Sequence, residues 1–345
     1  MRSYLKAVAN LVSRHFHAAW YALSVIVPIL VRTRARPVIF SKYGGIGDII
    51  CTFPAALELK KRHPKSVFIY NCHPGYACLP SMGGVADRVT SSLSIGLVGY
   101  WYGWLLAGFY NFASDDDNSQ SAPTEVYIKD FGRAFGVTVE DAHPSLQLDA
   151  DVLARLCERF EKRGINFRPL IGIHPGPSWP VREWPRENWA ALIAELKSQG
   201  YPNVLQFGTT QVLGFGDVEV PPIPGAVSLI NELSLEESVA AISMCDLIIG
   251  IDSGLLHIAA ALGVPCVGLW GATSAHLRFS MENRRSFVTG NVNCQGCQHR
   301  HPRLHWFTNC PNDIACMKAI TVEDVLSACL SRLKSTEGLH YARGK

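Results

Sequence analysis

The residues best placed to do chemistry lie in one stretch, from Cys245 to Thr273, CDLIIGIDSGLLHIAAALGVPCVGLWGAT. Residues 247–251 form a short continuous apolar run, the mark of a strand buried on both faces. Asp252-Ser253-Gly254 turns the chain, residues 255–262 read as a helix, and Gly263 and Pro265 stop it. Residues 266–270 then read as the next strand. The acidic turn is therefore expected at a strand's carboxyl end and a helix's amino end. Open α/β sheets bind ligands there, and free N–H groups at a positive dipole end suit a phosphate. Ser253 can cap the helix and hydrogen-bond a phosphate oxygen, Gly254 lets the backbone come close, and His257 offers a second donor one turn along. The same Asp-Ser-Gly also serves as an ordinary helix cap in proteins that bind nothing at that point.

Two further loops carry chemistry-bearing residues. Residues 37–41 (PVIFS) read as a buried strand, followed by Lys42-Tyr43-Gly44-Gly45-Ile46-Gly47-Asp48 and a helix over residues 49–62. Strand, glycine loop and helix open a nucleotide-type fold, but the glycines do not match the dinucleotide fingerprint. Gly44, Gly45 and Gly47 instead suit close approach of a substrate to the backbone. Asp48, where the loop enters the helix, is either an N-cap or a general base taking a proton from an attacking hydroxyl. Residues 168–173 read as another buried strand, ending in the proline-stiffened loop HPGPSWPVREWP from His174 to Pro185. Arg182 is the cation there that can neutralise a diphosphate. Trp179 and Trp184 either stack on a base or sugar or pack inward.

These loops need scaffolding, and the chain is long enough to supply it. Its 345 residues suit two domains, and 48% hydrophobic content marks it as globular. The net charge of +3 gives no reason to expect nucleic acid as a partner. Strands alternate with helices throughout, which implies an α/β protein with parallel sheets. The expected organisation is a basic and apolar helical extension over residues 1–36, a first Rossmann-like domain over 37–160 and a second over 161–335. Ser234 and Glu237 have the spacing of a capping box at the helix leading into the central stretch. Glu236 is the freer of the two neighbouring acids to accept ribose hydroxyls.

The extension holds Arg2, Lys6 and Arg14, then an apolar run over 18–31 broken by Pro28, then Arg32, Arg34 and Arg36. The run falls short of the roughly 20 residues that span a bilayer, and no small-residue cleavage site follows it. Such a helix lies on an anionic membrane surface or packs on its own domain. Residues 93–112 are uncharged and aromatic; their four glycines weaken a membrane span and suit either core packing or an acceptor surface. Asp115 to Asp117 follow without a basic flank. Most of the 11 cysteines are scattered as buried thiols are, consistent with a reducing cytoplasm. Cys294, Cys297, Cys310 and Cys316 cluster between the last strand and the closing helix. Four thiolates with one CxxC pair suit a structural zinc or iron, with His299, His301 and His305 as substitutes; the other reading is free thiols in a surface loop.

Taken together, GGIGDIICTFPA, IGIHPGPSWPVREWPRENW and DLIIGIDSGLLHIAAALGVPCVGLWGAT resemble glycosyltransferase family nine, the ADP-heptose:lipopolysaccharide heptosyltransferases. The resemblance covers roughly residues 38–330. It implies a GT-B fold, two facing Rossmann-like domains with an interdomain cleft, the first taking the acceptor and the second the nucleotide sugar. It implies an inverting transfer with no cofactor or metal in the chemistry. By position, Asp48 matches the family's catalytic base and Asp252 the acid that contacts the donor sugar. Ser253, Gly254, Leu255 and His257 match the phosphate-binding turn, with threonine common where Ser253 stands. Arg182 stands where lysine is usual. The implied partners are a nucleotide diphosphate sugar, ADP-heptose foremost, and a glycan or lipid-linked acceptor. The implied place is the cytoplasm, peripheral at the inner membrane. A nucleotide-sugar epimerase or hydrolase, or a non-catalytic sugar-nucleotide binding protein, fits the same fold, because function lives in the site.

Overall fold

A computed structural model describes residues 2–112, 127–165, 168–212, 216–278, 287–300 and 310–343. The chain divides into two compact units. The first takes Met1–Gly44, Asp48–Ser114 and Ile128–Ala142, and the second takes Gly45–Gly47 and His143–Lys345. The helix Ala150–Lys162 accordingly belongs with the second unit, where it packs on the helix Leu235–Ser243.

The first unit is built on four parallel strands, β1 (Val38–Ser41), β2 (Phe68–Asn71), β3 (Arg88–Thr90) and β4 (Gly108–Asn111), in the order β3-β2-β1-β4. Every residue of β1 and β2 is buried, as expected when both sheet faces are covered. The period of two divides them. Phe40, Phe68 and Tyr70 share one face, where Phe40 stacks on Phe68 with ring centroids 5.8 Å apart. Ile39 and Ile69 point the other way, under the N-terminal segment.

That segment is helical from Arg2 to Thr33, with one π-helical turn at Ala22–Ile26. Ala18, Tyr21, Ala22, Ile26 and Ile29 are buried in one cluster with Ile39, Ile69, Ile95, Val98 and Leu106. The extension expected over residues 1–36 is thus part of the first unit's core. The helix expected over residues 49–62 is two, Ile46–Cys51 and Phe53–Arg62. Pro54 lacks the N–H that a continuous helix needs, and the chain breaks before it at Thr52. Thr52 Oγ1 donates to the carbonyl of Ile49 at 2.7 Å and lies 2.6 Å from the Tyr70 hydroxyl. The uncharged stretch over residues 93–112 becomes the helix Ile95–Tyr102, a 3₁₀ turn at Gly103–Leu105 and β4. It breaks at Gly103, and its one α-helix, Ile95–Tyr102, is too short to span a membrane. A further helix is described over Tyr127–Arg133. Asp115 to Asp117 lie outside the described residues.

In the second unit the strands are β5 (Leu170–His174), β6 (Asn203–Gln206), β7 (Gln211–Val212), β8 (Gly216–Asp217), β9 (Val227–Ser228), β10 (Leu247–Ile251), β11 (Cys266–Trp270) and β12 (Phe287–Thr289). Six of them form a parallel sheet ordered β12-β11-β10-β5-β6-β9, while β7 and β8 make a small antiparallel pair. The chain runs outward from β5 to β6 and β9, then returns to β10 and runs the other way to β11 and β12. The order therefore reverses between β5 and β10, the point where open α/β sheets leave a crevice at the strands' carboxyl ends. Asp246 locks the entry to these strands: it accepts from the Leu170 N–H at 2.7 Å and from Arg168 at 2.8 Å.

Because the N-terminal helix walls the first unit's core, Ile26→Ala or Ile29→Ala should each cost about 2–4 kcal/mol of that unit's stability. Thermal melting followed by circular dichroism reads this.

Candidate active site

The central stretch folds at the reversal of strand order. β10 and β11 occupy residues 247–251 and 266–270, and the helix between them is Gly254–Ala261. Ser253 takes the N-cap position in an extended conformation, φ −152°. Its side chain does not cap the helix; its Oγ lies 2.9 Å from His174 Nδ1, at the end of β5. The capping role expected of Ser253 gives way to a bond across the two central strands. Burial pushes His174 down to about 4, so the ring is neutral at physiological pH. With the proton on Nδ1 the ring donates to Oγ, and the serine hydrogen is left for a ligand oxygen.

Asp252 is buried and forms the electrostatic centre of the site. Burial alone would raise its pKa, but Arg182, then Arg278 and His257, and a hydrogen bond with Thr273 together hold it below the usual carboxylate value. Arg182 Nε stands 3.3 Å from Asp252 Oδ2. The same guanidinium donates to the Asp252 carbonyl at 3.5 Å and to Gln298 Oε1 at 3.2 Å. It also lies over the Trp179 ring, 4.4 Å from the centroid. Glu183, next in the chain, accepts from the Ser178 N–H at 2.9 Å and so fixes the turn that presents Arg182.

Trp184 is corrected. It is 3% exposed, donates Nε1–H to the Ile320 carbonyl at 3.0 Å and meets Trp189 edge to face at 5.2 Å. The ring is a core residue with no face for a ligand. Trp179 is the indole at the site, and its partner is Arg182. His257 is buried on the helix after Ser253, and Leu255 is half-buried beside it. Gly45–Gly47 group with this unit. A Cβ on Gly47 would come within 2.7 Å of the His257 ring, and one on Gly254 within 2.5 Å of Ile46 Cβ. Both glycines are therefore required by close approach.

In the first unit, Asp48 sits in the first turn of the helix Ile46–Cys51, half-buried. A Cβ on Gly44 would meet its Oδ2 at 2.9 Å. After burial, which dominates, the charge of Asp48 helps to raise the Tyr76 phenol. The four clustered cysteines are all unbridged. Cys316 is pushed up to about 11, first by burial and then by Cys294, Cys297 and Cys310, so the four sulfurs share one neighbourhood. Among the described residues no group of three or more His, Cys, Asp or Glu side chains stands ready to hold a metal ion. His301 and His305, and the side chain of His299, lie outside what is described. The cysteine loop touches the site: Gly296 and Gln298 donate their N–H groups to the carbonyls of Gly271 and Ala272 at 2.9 Å each. Sequence reasoning missed Gln298, Arg278 and Glu183, since none carries a motif of its own.

Two parallel-sheet α/β units define the GT-B class of fold, and solved structures share it. The E. coli ADP-heptose LPS heptosyltransferase II matches with a TM-score of 0.62 at 19% identity, covering 87% of this chain and 99% of that one. The iron-containing dodecameric glycosyltransferase TibC from enterotoxigenic E. coli H10407 matches with a TM-score of 0.66 at 20% identity, covering 88% of this chain and 80% of that one. In sequence, the profile of glycosyltransferase family 9 (heptosyltransferase) matches residues 92–306, and the chain belongs to that family. Lipooligosaccharide heptosyltransferase 2 of Haemophilus influenzae is 34% identical over 153 residues, 42% of this chain and 44% of that protein. Lipopolysaccharide heptosyltransferase 2 of Salmonella typhimurium is 34% identical over 137 residues, 38% of each. The matched segment spans less than half the length of these relatives.

Two buried groups of the site contribute to the acid limb of stability. His174 binds its proton less readily folded than unfolded, so stability should fall as pH drops from about 6.5 toward its folded value. Asp252 is depressed, so its contribution is full above about pH 4 and is lost as pH falls through its folded pKa. Melting temperature against pH should show both limbs; His174→Gln should flatten the upper one and Asp252→Asn the lower.

Proposed function

We propose that this chain transfers a sugar from a nucleotide diphosphate to a glycan or lipid-linked acceptor of the lipopolysaccharide type, with ADP-heptose the favoured donor. The observation that carries the reading is the pairing of Asp252 with Arg182 at the amino end of the helix Gly254–Ala261. Departure of a nucleoside diphosphate leaves negative charge on the β-phosphate. Free N–H groups of a helix start and a guanidinium held beside it stabilise that charge as it develops. Arg182 presents a planar fork, so it can keep Asp252 on Nε while offering Nη atoms to phosphate oxygens. Ser253 and His257 supply further donors. Asp252, kept ionised, accepts from hydroxyls of the donor sugar. The relatives named as heptosyltransferases favour heptose as that sugar.

Asp48 is the base in this reading. It removes the proton from the acceptor hydroxyl as the oxygen attacks the anomeric carbon; the bond to the diphosphate breaks on the opposite face, and the configuration inverts. The glycine loop, Gly44 to Gly47, leaves room for the acceptor. No step passes through a metal. We propose that Cys294, Cys297, Cys310 and Cys316 would close on one structural zinc or iron when it binds, since four thiolates suit either ion; among the described residues they do not already form a ligand set. The structural neighbour TibC is iron-containing. Gln298 ties that loop to Arg182, so the metal would steady the donor side without touching substrate. We place the protein at the cytoplasmic face of a membrane that carries its acceptor.

A panel of nucleotide sugars screened by mass spectrometry, with product anomers read by NMR, tests the transfer; release of free sugar or an epimer without acceptor overturns it. Asp48→Asn should lower kcat by about 10²–10⁴-fold and leave ADP affinity by calorimetry nearly unchanged; wild-type turnover in that variant removes the base assignment. Elemental analysis of the purified chain should find close to one equivalent of zinc or iron, and Cys294→Ser with Cys297→Ser should lose it; a metal-free wild-type protein ends that part of the reading.

A further inference from the structure

The first unit carries an apolar and aromatic surface of its own. On the N-terminal helix Val12, Phe16 and Trp20 recur at four-residue spacing and Leu23 follows three further on. All are exposed, Phe16 at 68% and Trp20 at 63%. Leu93, just before the helix Ile95–Tyr102, joins Tyr100 at 77% and Trp101 on that helix and Trp104 at 71% exposure in the turn after it. The two segments are far apart in sequence and adjacent in space. The His15 and Trp101 rings lie 6.2 Å apart, Arg14 donates to the Leu93 carbonyl at 3.5 Å, and Arg36 donates to the Trp104 carbonyl. Soluble proteins rarely leave so many large apolar side chains together on one surface without a use for them.

The charges on the segments that form it are of one sign. Residues 1–47 contain Arg2, Lys6, Arg14, Arg32, Arg34, Arg36 and Lys42 and not one Asp or Glu. Lys6, Arg14, Arg32, Arg34 and Arg36 are exposed. Indole and phenol rings beside guanidinium groups are the composition of a surface that rests at the level of lipid headgroups. We infer that the N-terminal helix and the 93–104 segment form one docking surface for an anionic lipid bilayer, on which the first unit lies without crossing it.

The helix over Lys6–Thr33 is long and apolar enough to span a membrane. It is not free to do so. Its other face, from Ala18 to Ile29, covers Ile39, Ile69, Val98 and Leu106, and leaving the sheet would bare that core to water. One face is spent on the domain and the other remains for the interface. The surface does not share residues with the donor site, so membrane binding and sugar transfer can fail separately.

The test is co-sedimentation of the full chain with vesicles of phosphatidylcholine alone or mixed with phosphatidylglycerol. Binding should favour the anionic vesicles by on the order of tenfold or more and fall with added salt. Phe16→Glu with Trp101→Glu, both at exposed positions, should lower partitioning by on the order of tenfold or more while melting temperature and ADP affinity stay unchanged. Lys6→Gln, Arg32→Gln and Arg34→Gln together should remove the preference for anionic lipid. Equal binding to both vesicle types, undiminished binding by the glutamate variant, resistance to extraction by alkaline carbonate, or a solution dimer that the glutamate variant dissociates would each overturn the inference.

Discussion

The ion pair between Asp252 and Arg182 is the constraint on which the second unit's site depends. A carboxylate at the buried end of a central strand is costly unless a cation meets it. The cation comes from a different loop, the one that leaves β5, and it is steadied in turn by Trp179 beneath it and Gln298 beside it. Three segments distant in sequence are thus held together by one charge requirement. Glu183 and the bond from the Ser178 N–H fix the loop from behind. In the proposed reading, the same pair that stabilises the fold would supply the two charges a nucleotide sugar needs, one for its hydroxyls and one for its phosphates.

Topology explains why this happens between β5 and β10. Their neighbours lead away in opposite directions, so the loops at their carboxyl ends part and leave space. The bond between Ser253 and His174 crosses that same junction. Burial keeps that imidazole neutral, so the ring adds no positive charge to the junction.

Much of this was legible in the sequence, for physical reasons. β10 and β11 read correctly residue for residue because a strand buried on both faces must be a continuous apolar run. The capping box at Ser234 and Glu237 read correctly because both of its bonds are local, at 3.1 Å and 2.9 Å. What failed was non-local. The helix over residues 49–62 looked continuous because apolar spacing outvoted Pro54. Trp184 looked like a stacking platform because an indole in a loop carries no sign of which way it turns; only the Ile320 carbonyl and Trp189 decide it. Gln298 was invisible because its role arises from where the cysteine loop docks. The N-terminal helix offered two readings, a membrane surface or packing on its own domain; the packing is what the structure shows, with Ala18, Tyr21, Ala22, Ile26 and Ile29 in the first unit's core.

The docking inferred above would give this helix a second duty, and that would limit how the protein can be regulated. In many peripheral proteins the membrane tether is a separable tail that a protease can clip, leaving a working soluble body. On the docking inferred above, the tether would also be a wall of the first unit, so trimming it would expose that unit's core. Attachment of that kind would be tuned from outside, by the lipid composition and ionic conditions the helix meets, rather than by cleavage of the helix.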